Sequence, residues 1–275
     1  MKSIIQFMSK NKRSIFYSFV ISIGIFFALS MYSEYGNKSY WRVIAIISII
    51  FIFEIYLNWR FATKVLRQID MPNINVYNLW GHLINHITLP LLLFYSFAGF
   101  LYFNQDEVVR YFSILLHFMI NVILFVNIRS YYQDEFNIEE KTKYIYDLIK
   151  LIIFFLGVNL ILHGVMLAEA QIWIGAFLLS LLALMLGLLL IYRKNQKEML
   201  VIVYIIISTL LIGIVYILLF TLGFVLLGIN LILFLLFYFI LSFLHHKIER
   251  TLTPHVVLEY VLIFILALLL FHNLS

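Results

Sequence analysis

Charged residues come in short clusters along this chain. Between the clusters run stretches of about 20 apolar residues, each long enough as a helix to cross roughly 30 Å of hydrocarbon. They lie near 14–34, 41–59, 79–103, 108–128, 148–167, 171–192, 200–221, 224–245 and 255–272. The run from Leu200 to Leu244 holds 45 residues without a charge. At about 1.5 Å per residue a single helix of that length would overshoot any bilayer. A reversal is therefore expected at Thr221-Leu222-Gly223, with Gly228 just beyond. Nine spans is the expected number and eight the alternative. The first is too long, and lacks the small-residue cleavage site, to be a removed signal peptide.

Composition narrows the class. Apolar residues make up 64% of the chain and charged residues 12%, against roughly 45–50% and 25% in soluble domains. With a mean hydropathy of +1.02, this excludes a water-soluble enzyme, a nucleic-acid-binding module, a disordered linker and a disulfide-stapled secreted domain. The chain has no Cys, so disulfides and thiolate metal sites are excluded as well. Its 11 Gly and 3 Pro are few for a membrane protein and suit continuous helices better than the broken helices of many transporters. Abundant Ile, Phe, Asn, Lys and Tyr point to an AT-rich prokaryotic genome, hence to a cytoplasmic membrane.

Positive charge orients the spans. With the N-terminus in the cytoplasm, the inner side collects Lys2, Lys10, Lys12, Arg13, Arg60, Lys64, Arg67 and Arg129. It also takes Lys141, Lys143, Lys150, Arg193, Lys194, Lys197, Lys247 and Arg250, leaving Lys38, Arg42 and Arg110 outside. Sixteen against three is a strong positive-inside bias, and it puts the C-terminus outside. Trp41 and Trp173 fall at outer ends of spans, Trp59 and Trp80 at inner ends, where an amphipathic ring prefers the headgroup level. The expected architecture is all-α, a polytopic membrane helix bundle forming one transmembrane domain over 1–275 with no soluble domain. Its longest polar stretches are two cytoplasmic loops, Arg60–Asn78 and Arg129–Asp147, the second read as a solvated connection. In the first, Arg60, Lys64 and Arg67 share one face of a helical extension suited to anionic headgroups.

Ionisable residues inside spans carry the functional signal, because burying them in hydrocarbon is costly. They are Glu54, His82, His86, His117 with Asn121, Asn159 with His163, His245-His246, His255 and Glu259. Glu54, His86 and Glu259 sit about 6–10 Å inside the inner ends of their spans. His82/His86 and His255/Glu259 are i, i+4 pairs, each presenting two ligand-type groups on one helix face. Imidazole and carboxylate together suit Zn or Fe. Pro90 cannot donate to the carbonyl of His86, so a freed backbone acceptor is expected beside this turn. The plainer readings are headgroup contact for the interfacial histidines, a Lys or Arg partner for Glu54, and interhelical hydrogen bonding for His117 and Asn121.

No family motif is complete. The paired-histidine boxes of membrane desaturases need a further His upstream of His245, where Phe243 and Ser242 stand. The HxxxN element of intramembrane CAAX-type proteases is matched by His117 and Asn121, but Tyr144 occupies the place of the required Arg. There is no HExxH and no P-loop. Three functional classes remain. One is a metal-dependent enzyme acting on a lipid or lipid-linked substrate at the cytoplasmic leaflet, with His82, His86, His255 and Glu259 as ligands and Glu54 as catalytic group. A second is a non-catalytic subunit or assembly factor of a membrane complex, ranked nearly level with the first. A transporter using Glu54, His117, Asn121 and Glu259 ranks below both. Expected partners are membrane lipids and other membrane proteins, with no nucleic acid.

Overall fold

The computed structural model describes residues 11–68, 76–133, 140–194 and 199–249, followed by 251, 253, 255, 257, 258, 261 and 262. For 58–59, 61–68, 76–85, 129–133, 140–144, 190–194 and 248–249 it describes the backbone alone. The long elements are all helices: α1 (Lys12–Tyr35), α2 (Asn37–Gln68), α3 (Val76–Phe103), α4 (Glu107–Gln133), α5 (Glu140–Leu167), α6 (Ile172–Lys194), α7 (Met199–Thr221) and α8 (Leu226–Glu249). Among the described residues all eight are long and apolar enough to cross a membrane. The protein is a multi-pass helical membrane protein. The stretch expected as a further span, 255–272, lies largely outside the described residues, and its described members are helical.

Sequence explains how the chain turns between helices. In hydrocarbon every backbone group needs an internal partner, so turns must be short and self-satisfied. Gly36 alone joins α1 to α2, with φ +79 and its N–H on Tyr32 O. Asp106 caps α4, its Oδ1 accepting from the N–H of Val109 at 2.9 Å. Gly223, at φ +77, closes α7: its N–H reaches Phe220 O and that of Phe224 reaches Leu219 O. A glycine just past the helix end adopts this left-handed geometry without strain. Four residues, 222–225, therefore make the reversal inside the long uncharged run. Glu169 takes the same role after α5 at φ +48, with the N–H of Ala170 on Val165 O.

At the other ends the helices run on. The Arg60–Asn78 and Arg129–Asp147 stretches are mostly helix, because α2 continues to Gln68, α4 to Gln133, and α5 begins at Glu140. Lys150 sits inside α5 and is buried, although position alone reads it as part of the loop charge. Helix α3 runs unbroken through Pro90.

The chain divides into two compact units. The first comprises 1–79 and 86–149, the second 80–85 and 150–275. Within the first, α1 packs on α2 and α4, and α2 touches α4. The buried stripe of α1 is Ser14, Ser18, Ile21, Ser22, Ile25, Ala28 and Leu29, a 3.6-residue repeat. Phe51 of α2 stacks on Phe94 of α3 at 5.1 Å, and the Tyr40 hydroxyl donates to Ala98 O at 2.6 Å. Within the second, α7 packs on α6 and α8. Phe154 of α5 stacks on Phe237 of α8 with centroids 4.1 Å apart.

Candidate functional site

Most of the buried polar chemistry with assigned partners belongs to the first unit. Glu54 lies one turn from the end of the α2 span, 1% exposed. Arg13, in the first turn of α1, meets it there: Nη2 donates to Oε2 at 2.8 Å and Nε to the same oxygen at 3.3 Å. The Arg13 side chain is 38% exposed, so the pair joins a buried carboxylate to a partly exposed cation. It also lies 5.7 Å from the Tyr17 ring, a cation–π distance.

The second feature is at mid-span. His117 of α4 is fully buried. Asn121 Nδ2 lies 2.8 Å from its Nε2 and 3.2 Å from its Nδ1. Ser22 Oγ of α1 lies 3.3 Å from Nδ1. The imidazole is thus met by a side chain of its own helix and by one of a neighbouring helix. Phe97 packs edge-on at 5.0 Å and Phe94 at 6.3 Å. One helical turn from Ser22 along α1 is Ser18, and one turn from His117 along α4 is Asn121. In the antiparallel α1/α4 pair both steps lead toward the Arg13–Glu54 end. Among the described residues Ser18 Oγ and Asn121 Oδ1 have no hydrogen-bond partner. A third contact, Tyr95 hydroxyl to Ser48 Oγ at 3.1 Å, links α3 to α2.

The expected metal ligands fare differently. His86 is buried in α3, its ring 6.2 Å from that of Tyr146. His255 is helical and exposed. The His82 side chain and all of Glu259 lie outside the described residues. Among the described residues no group of three or more His, Asp or Glu is placed to hold a metal ion. Of the other polar candidates, His163 uses Nδ1 on the carbonyl of Asn159, one turn back in its own helix, at 2.9 Å. His246 Nδ1 is 2.9 Å from Thr251 Oγ1.

Sequence reasoning reached Glu54, His117 and Asn121 but not their partners Arg13 and Ser22, nor buried Lys150. One signal was present: Ser14, Ser18 and Ser22 repeat at i, i+4, a polar small-residue stripe in an otherwise apolar helix. Arg13, directly before the first residue of the first span, reads as ordinary interfacial charge until the facing carboxylate is known.

No protein-family model, no curated protein and no solved structure matches this chain.

Proposed function

We propose that this multi-pass protein is a non-catalytic subunit of a membrane complex, in which the buried polar residues fasten helices to one another. The observation that carries the reading is the closure of the two deepest ionisable groups of the first unit upon a neighbouring helix. Glu54 is met by Arg13, and His117 by Ser22 with Asn121 behind it. Polar residues in membrane bundles commonly supply such interhelical bonds. A catalytic carboxylate or imidazole needs a free lone pair or proton facing a cavity; here Glu54 Oε2 and the His117 ring nitrogens are engaged by neighbouring side chains. The positive-inside count supports an N-terminus in the cytoplasm, which with the nine apolar runs gives an external C-terminus, and the AT-rich composition supports a prokaryotic cytoplasmic membrane. The partner would be another membrane protein, seated against exposed apolar side chains of the first unit such as Ile49, Phe53 and Phe112.

A second reading, a Zn- or Fe-dependent enzyme of the inner leaflet, is favoured by one observation: His86 is buried within a helix whose next turn holds Pro90. Its ligands would be His82, His86, His255 and Glu259, with Glu54 accepting a proton. Metal would polarise a lipid-linked substrate or activate water there.

One sample separates the two. The particle extracted from native membranes in mild detergent is weighed by native mass spectrometry and analysed for Zn and Fe. The subunit reading expects a particle containing another polypeptide at fixed stoichiometry and no stoichiometric metal. A lone chain overturns it, and a metal ion lost in His86→Ala establishes the enzyme instead.

A further inference from the structure

The second unit carries a lateral groove of about 280 Å³ between α7, α8 and the helical residues that follow. Its walls include Ser208, Leu236, Ile240, Phe243, Val257 and Val261. That volume is near the lower end of ligand-sized pockets, about 300–1,000 Å³. Apart from Ser208 the lining among the described residues is hydrocarbon and aromatic ring, so a charged or hydrogen-bonding body would lose its solvation there without compensation. A chain of methylenes loses nothing.

The groove has a direction. Along α8, Leu236, Ile240 and Phe243 follow one face, and Lys247 stands one turn further toward the helix end. At about 1.5 Å per residue these four positions span roughly 16 Å, half a bilayer's hydrocarbon. On α7, Tyr204 precedes Ser208 by one turn in the same way. The rings of Tyr204 and Phe243 are 6.3 Å apart, and Lys247 Nζ lies 5.6 Å from the Tyr204 ring. An apolar trough therefore passes two aromatic rings and ends at a cation, at the boundary where a lysine reaches the headgroups. The chain leaves α8 by a fixed route: the N–H of Thr251 bonds to His246 O at 3.0 Å, and its hydroxyl lies on His246 Nδ1. Val257 and Val261 stand against the groove as its third wall.

We propose that this groove binds one acyl chain of an anionic phospholipid, whose phosphate meets Lys247. The argument is charge complementarity. A single molecule that places a methylene chain in the trough and a net negative charge at its end satisfies both halves of the feature. On the positive-inside threading Lys247 faces the cytoplasm, so the lipid belongs to the inner leaflet. One such cation near the headgroups favours an anionic over a zwitterionic lipid about fivefold. This site is independent of whether the chain has a protein partner.

The test uses the full-length protein in nanodiscs of equal phosphatidylglycerol and phosphatidylcholine, released and weighed by native mass spectrometry. Wild type should retain one phosphatidylglycerol, several-fold over phosphatidylcholine. Lys247→Glu, at a helix end where folding is not at stake, should bring that ratio to one or below with an unchanged melting temperature. Ile240→Trp should fill the trough and lower retention of both lipids. Equal retention of the two lipids by wild type overturns the proposal. So does a preference that survives Lys247→Glu, or a dimer that Ile240→Trp dissociates.

Discussion

Helices α1, α2 and α4 are joined through polar side chains, and helices α6 and α7 through small ones. In the first unit the fasteners are an ion pair, Arg13–Glu54, and the Ser22–His117–Asn121 bridge. In the second, α6 offers Ala176, Ser180, Ala183 and Gly187 on one face. A Cβ added to Gly187 would lie 2.9 Å from Ile205 Cγ2, one on Gly213 would lie 3.2 Å from the backbone oxygen of Ala176, and one on Gly175 would lie 2.6 Å from the Tyr216 hydroxyl. Lipid tails are as apolar as leucine, so membrane helices associate by close approach or by hydrogen bonding rather than by escape from water. This chain uses each solution in a different unit, and the two should fail differently. Close packing is broken by an added methyl group and is indifferent to charge. A polar fastener tolerates added bulk better and is broken by the loss of one partner.

The largest effect is expected for Gly213→Val. Its side chain would press on Ser180 Oγ and on the Ala176 backbone, which has nowhere to go, costing about 3 kcal/mol or more. Thermal unfolding in detergent should show a marked drop, with salt making no difference. Arg13→Ala comes next, at about 2–3 kcal/mol, because it removes the cation 2.8 Å from a buried carboxylate, although the partial exposure of Arg13 moderates the loss. Glu54→Gln added to it should recover part of that stability, which no packing defect would do.

His117→Leu should cost about 1 kcal/mol, in line with hydrogen bonds measured between membrane helices. The His117→Leu, Asn121→Leu double substitution should be no worse than His117→Leu alone, since removing both partners leaves no orphaned amide at 121. The smallest effect is expected for Gly24→Ala in α1. Its new methyl meets only the flexible end of Ile47, at 2.9 Å, and Ile47→Ala should restore whatever stability is lost. If Gly24→Ala were instead as damaging as Gly213→Val, the two units would not differ in their packing chemistry.

Much of the fold could be read from the sequence because bilayer thickness imposes it. The 20-residue runs, the required reversal at Gly223 and the membrane class all follow from hydropathy and chain length. The longer connections were less legible: α2, α4 and α5 continue as helix through polar stretches, where the water outside the bilayer no longer forces an apolar pattern and charge clusters look alike in helix and loop. The polar residues could be listed but not paired. Glu54 and His117 stand out by their cost in hydrocarbon, yet Arg13 and Ser22 are unremarkable until two antiparallel helices bring them to the same depth. Spacing along one helix reports a shared face, and says nothing of what the face meets. The i, i+4 pair His117 and Asn121 does form one unit, closed by a serine on a neighbouring helix. The metal-ligand expectation for His82, His86, His255 and Glu259 depends on the same kind of convergence and passes to the elemental analysis.

The central claim is that buried ionisable residues here hold helices together. A double-mutant cycle on Arg13→Ala and Glu54→Gln, read as unfolding free energy in a fixed detergent, tests it most directly. The account predicts a coupling of about 1–3 kcal/mol, the range for partly and fully desolvated charge pairs. Strictly additive losses, or a Glu54→Gln variant as stable as wild type in the presence of Arg13, would contradict it.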